Sequence, residues 1–184
     1  MARAALSPDA VVSLAVAIVD EEGPAALTLS AVAARAGVAT PSLYKHVRNL
    51  AELRELLSVR ILNEMAEHVG AAVLGRSGDD ALRALMEAWR SYVTRHPGRY
   101  AAVIQVPDPA TAEAGARLID ILFAALRAYG LEGSDAIHAA RSLRAAAHGF
   151  SVLEAAGAFG LPEKLDESYD LLTHMIISGL HTPR

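Results

Sequence analysis

From Val11 to Leu180 the apolar residues of this chain recur three and four positions apart and nowhere settle into sustained alternation. That spacing gathers them on one face of a 3.6-residue helix, whereas a half-buried strand needs a period of two. The chain therefore reads as all-α. Hydrophobic residues make up 53% of the 184, enough to bury a sizeable core, and there is no cysteine. Disulfides, thiolate metal sites and thiol nucleophiles are thereby excluded, and stability rests on packing.

Local punctuation divides the chain into helices of unequal length. Ser7 followed by Pro8 predicts an N-cap with proline at the first helical position, and Gly23-Pro24 stops a helix carrying Val11, Leu14, Ala15 and Ile18. A second helix starts near Thr28 or Leu29, with Leu29, Val32, Ala33 and Ala36 inward, and ends at Gly37 as a left-handed cap. Thr40 is expected to cap the next helix, with Pro41 at its first position and Leu43 and Val47 pointing inward. Asn49 and Glu52 form a capping box for a helix from about Leu50 to Leu74 along Leu53, Leu57, Ile61 and Met65. Longer helices follow at about Asp80–His96, Ala110–Tyr129, Ser134–Gly157 and Asp166–Leu180, with a brief turn around Arg99–Val103. The expected architecture is a three-helix module over 1–50 and a larger helical bundle over 51–184.

The net charge of −4 argues against a chain coated in basic residues, but the charges are unevenly placed. Between Thr28 and Leu50 stand Arg35, Lys45 and Arg48 and no acid, while Asp20-Glu21-Glu22 and Asp79-Asp80 concentrate carboxylates elsewhere. A short helix, a tight glycine turn and a second helix with an apolar inner stripe make a helix-turn-helix, whose second helix is slim enough for the DNA major groove. Its outer residues are Thr40, Pro41, Ser42, Lys45 and His46, which supply hydroxyls and an ammonium for phosphates, and an imidazole and a proline edge for bases. The same stretch also fits two packing helices with a solvated outer face.

The segment LTLSAVAARAGVATPSLYKHVRNLAEL resembles the DNA-binding segment of the tetracycline-repressor (TetR) family. That pattern has a threonine entering the second helix, VA..AGV across the turn and LY.H on the recognition helix; here these are Thr28, Val32-Ala33, Ala36-Gly37-Val38 and Leu43-Tyr44-Lys45-His46. The resemblance implies that Thr40, Pro41, Ser42, Lys45 and His46 face bases or backbone, that Tyr44 reaches a phosphate, and that Thr28 and Ser30 lie near the backbone. Two positions depart from the pattern. Val47 stands where many members carry phenylalanine, and Leu50 where many carry a phosphate-gripping lysine. The missing lysine removes about one phosphate contact, which makes the salt dependence shallower by roughly one unit of slope.

For the bundle, the resemblance implies a homodimer formed through the last two long helices and a cavity whose small-molecule effector alters DNA affinity. Ala147-His148-Gly149 matches, without its tryptophan, a subgroup marked by a tryptophan-histidine-glycine triplet. Read from the residues alone, the last helix presents Tyr169, Leu172, Met175, Ile176, Gly179 and Leu180 on a broad apolar face, suited to a symmetry mate or to the chain's own core. Candidate pocket residues are Leu85, Met86 and Trp89, with Phe123 opposite, and Tyr92, His96 and Met65 as weaker members. Trp89 either lines a cavity or fills the core. Arg141, Arg144 and His148 share one face, either reading an anionic ligand group from inside or facing outward, with Glu154 placed to neutralise part of the row.

The seven histidines show no pair at ligand spacing with a carboxylate, so no metal is expected. Without a nucleophile and ordered base, paired carboxylates or a phosphate-cradling glycine loop, neither catalysis nor a cofactor is expected. A bundle-type small-molecule carrier or enzyme is the alternative. The apolar stretch near the amino end is too short to span a bilayer and runs into three carboxylates, so the expectation is a soluble, cytoplasmic protein without a membrane partner.

Overall fold

A computed structural model describes residues 6–103 and 108–181. Among them the helices are α1 Pro8–Glu22, α2 Leu29–Ala36, α3 Leu50–Val73, α4 Gly78–Arg95, α5 Pro97–Ala102, α6 Ala112–Leu126, α7 Gly133–Ala155 and α8 Leu165–Leu180, with short 3-10 turns between some of them. No strand occurs among the described residues. The all-α expectation holds.

Among the described residues two compact units emerge, one of 6–63, 96–103 and 108–115 and one of 64–95 and 116–181. These packing units are drawn differently from the functional boundary expected after residue 50, because 51–63, 96–103 and 108–115 pack with the first helices. In the first unit Val11, Ala15 and Ile18 of α1, Val32 of α2, Leu43 and Leu53 are fully buried together with Leu57 and Ile61. Leu14 and Leu29, read as inward, are only half-buried. A Cβ at Gly98 of α5 would fall 1.9 Å from the Val19 carbonyl oxygen, so α5 can lie this close to α1 only with glycine there. The Arg99 guanidinium then grips Asp20 through two bonds, Nε to Oδ1 at 2.9 Å and Nη2 to Oδ2 at 2.7 Å.

In the second unit α4, α7 and α8 pack on one another, with Leu82, Leu85, Met86, Trp89 and Val93 facing Leu143, Ala147, Tyr169 and Ile177 as one buried set. The helix expected from about Ala110 to Tyr129 is α6 with a 3-10 turn at each end. Asp108 accepts from Ala110 N–H at 2.8 Å to start the entry turn, and Gly130 at φ 65° ends the exit turn.

Candidate nucleic-acid interface

The helix-turn-helix is held by its own caps. Thr28 Oγ1 accepts from Ala31 N–H at 3.0 Å, and Gly37 at φ 65°, ψ 35° turns the chain out of α2 while Val38 N–H bonds back to the Ala33 carbonyl at 3.0 Å. Three residues after Gly37 comes a difference from the sequence reading. Thr40–Lys45 is a 3-10 turn rather than a two-turn α-helix; its N-cap is Ala39, and the Thr40 side chain makes no capping bond. Ser42 N–H bonds to Ala39 O at 2.9 Å and His46 N–H to Leu43 O at 2.8 Å. So short a segment, with a proline lacking its donor near the start, gains little from an α-helical register.

Leu43 and Val47 are buried as expected, which turns the opposite face outward. Tyr44 is 56% exposed, Pro41 and Lys45 are exposed, and Thr40, Ser42 and His46 are half-buried. Thr28 and Ser30 are exposed at the start of α2. The Thr28 oxygen is engaged in its cap, which leaves the hydroxyl hydrogen to donate.

The acid-free run of sequence is not acid-free in space. Arg35 Nη2 binds Glu21 Oε2 at 2.6 Å and Glu22 Oε1 at 2.8 Å, and its guanidinium holds the Glu21 carboxyl below the usual range. Arg48 Nε binds Glu52 Oε1 at 2.9 Å, and Glu52 Oε2 accepts from the Arg48 backbone N–H. These bonds, the backbone one foremost, lower the Glu52 pKa. The capping box is thus half as expected: Asn49 Oδ1 accepts from Glu52 N–H at 2.9 Å, but Glu52 reaches back to Arg48 rather than to Asn49. Among the described residues, Lys45 is the cation of segment 28–50 with no carboxylate partner.

In the second unit, Met65, Leu85, Met86, Trp89 and Tyr92 are all buried, while Phe123 is half-buried. An open groove of about 510 Å³ lies instead between α3 and α6, lined by Ala66, Gly70, Ala71, Leu74 and Ile121 with Glu67, Arg117 and Asp120, and includes none of them. Arg141 and Arg144 are exposed on α7 and His148 is half-buried, so that row faces outward rather than into the core. Glu154 does not serve it. Its carboxylate meets Arg90 of α4 at 2.6 and 2.7 Å, Asp166 of α8 takes Arg90 Nη2 at 2.7 Å, and the guanidinium carbon lies 4.9 Å from the Tyr169 ring centre and 5.7 Å from that of Phe150. Nothing in the sequence reading marked Arg90; the one available signal is a cation adjoining an apolar stripe.

The expected face of α8 also shifts. Tyr169 is buried in its own chain, donating to the Met86 carbonyl at 2.7 Å, and burial pushes its phenol pKa up. Thr173 and Ile177 continue that buried stripe, while Leu171 at 59% and Met175 at 62% face outward with Val152 and Leu153 of α7 also exposed. Trp89 carries an anomaly: its Nε1–H, 2% of the residue being exposed, has no acceptor among the described residues. An unmade bond of that kind costs about 1–3 kcal/mol.

Known protein families match two stretches of the chain. The family described as bacterial regulatory proteins, tetR family, matches residues 11–56, and that described as tetracyclin repressor-like, C-terminal domain, matches residues 82–176. An uncharacterised regulator of the helix-turn-helix type, Rv0681 of Mycobacterium tuberculosis, is 37% identical over 158 residues, 84% of this chain and 72% of that one. YobS of Bacillus subtilis, likewise an uncharacterised regulator of that type, is 33% identical over 180 residues, 97% and 94%. The fold resembles that of BioQ crystallised with its natural double-stranded DNA operator, at TM-score 0.73 and 22% identity over 97% of this chain and 99% of BioQ. No helix among the described residues is long and apolar enough to cross a membrane.

Proposed function

Because this chain belongs to the TetR family of DNA-binding transcriptional regulators, we propose that it is a cytoplasmic repressor that grips a palindromic operator as a homodimer and is released by a small-molecule effector. The observation that carries the reading is the outer face of the 40–45 turn. Its tyrosine and lysine point away from a buried Leu43 and Val47, and Lys45 is uncommitted while Arg35 and Arg48 are paired.

On this reading residues 1–50 bind DNA. Lys45 and Tyr44 take phosphates, Pro41, Ser42 and His46 read base edges, Thr40 contacts bases or backbone, and Thr28 and Ser30 donate to the backbone where the α2 amino end favours an anion. Residues 51–184 bind the effector and the second subunit. The exposed Leu171 and Met175 are the centre of the dimer face, and a two-fold axis there sets two recognition turns about 34–36 Å apart, one turn of B-DNA. Since α3 and α6 each contribute residues to both packing units, they are the elements through which an effector biases the operator-binding shape. Moving that equilibrium from 1:99 to 99:1 takes roughly 10⁴-fold differential affinity, so an effector acts by preference between shapes and not by tightness.

Anisotropy titration of the DNA upstream of the gene tests the reading. Salt-sensitive, sequence-selective binding is expected, and Tyr44→Ala with His46→Ala should abolish it while sedimentation still reports a dimer. Full-strength binding by that double variant overturns the assignment of the recognition turn.

A further inference from the structure

Trp89 sits mid-way along α4, and its indole N–H is a donor with no second role as acceptor. Buried indoles ordinarily find a partner, and buried polar groups without one are rare. Phenylalanine would occupy most of the same space at no polar cost. The charges nearby are spoken for, since Arg90, the next residue, is matched by Glu154 and Asp166. The other buried polar side chains of the unit, among the described residues, are uncharged hydroxyls: Ser151, whose Oγ also has no partner, Thr173, and the phenols of Tyr92 and Tyr169. The core thus offers a hydrogen-bond donor in need of an acceptor, and no unpaired charge to balance an ion.

We propose that the Trp89 Nε1–H is the recognition point for the effector, and that the effector is an uncharged, largely apolar molecule carrying a hydrogen-bond acceptor such as a ketone, ester or ether oxygen. This rests on the reading that the second unit binds an effector. It also supplies the preference between shapes that such a switch needs. A core repacked around the acceptor makes a bond that the closed core lacks, so the ligand favours the repacked form. A hydrocarbon of equal shape gains nothing at this point, and an anion loses its hydration without a cation to replace it.

The test needs no DNA. Trp89 is the chain's only tryptophan, so emission reports this ring alone. Cyclooctanone and cyclooctane share a shape and differ by the carbonyl, and cyclooctanecarboxylate adds a charge. The wild type should bind the ketone about fivefold more tightly than the hydrocarbon, with a saturable change in emission, and the carboxylate most weakly. In Trp89→Phe, followed by calorimetry, the ketone preference should vanish. If that variant does not fold, protein in which benzothienylalanine replaces Trp89, with sulfur in place of N–H, should lose the preference in the same way. A ketone preference that survives either replacement overturns the proposal, as does a wild type that prefers the hydrocarbon or the carboxylate or binds none of the three. A protein that discriminates the probes as expected yet ignores its upstream DNA would sink the regulator reading and leave this one standing.

Discussion

At the scale of single residues, short-range signals were legible and paired charges were not. Ser7 and Thr28 cap their helices at the hydroxyl-to-N–H distances of 3.1 and 3.0 Å because a cap joins residues three apart, within reach of any reading of the chain. Arg35 belongs to the run of sequence without acids, yet its partners Glu21 and Glu22 lie 14 and 13 residues earlier on another helix. Only the packing of α1 on α2 brings them together. Exposed pairs like these add little stability, but they do commit the cation to carboxylates of its own chain. Leu50 belongs to this scale too. Leu50→Lys should restore one phosphate contact and steepen the dependence of log K on log salt by about one unit, read from operator titrations at several ionic strengths. An unchanged slope would place residue 50 away from the duplex.

At the scale of elements, lengths and stripes followed from periodicity, while close approaches did not. Gly98 gave no sign in sequence of why it is glycine; the reason is the Val19 carbonyl, which any Cβ at that place would strike. Gly98→Ala should cost about 3 kcal/mol in urea unfolding, since backbone and not a pliant side chain must move. Gly115→Ala in α6, with nothing near its Cβ, is the control and should be neutral or stabilising by about 0.5–1 kcal/mol. The α3–α4 contact carries a titratable partner in His68. Burial foremost, then the Arg95 charge 3.2 Å away, lowers its pKa below the ordinary 6.5, so the folded state prefers the neutral ring. Its contribution is complete above pH 6.5 and is lost as the pH falls through the folded pKa, because there the unfolded chain binds the proton first. The urea midpoint should therefore drop between pH 7 and 5.5, and His68→Gln should flatten that drop; a slope identical to the wild type would show that His68 does not carry it.

At the scale of the whole molecule, the last helix shows what a period cannot settle. Its apolar residues are too many for one stripe, and the sequence offered Tyr169 and Met175 to the same face. In the structure Tyr169, Thr173 and Ile177 turn inward, and Leu171 and Met175 turn out. Leu171→Glu with Met175→Lys, a helix-compatible pair that conserves net charge, should yield monomers in sedimentation with weakened operator binding, while leaving monomer stability within about 0.5 kcal/mol. A dimer of undiminished affinity would move the interface elsewhere. The sequence alone determined the long helices, the Ser7 and Thr28 caps and the family, because each depends on residues within a few positions or on an ordered local motif. Tertiary structure alone decided which cations remain uncommitted, where Arg90 finds its carboxylates and that the Trp89 N–H finds none, because these turn on atoms brought together by packing from helices far apart in the chain.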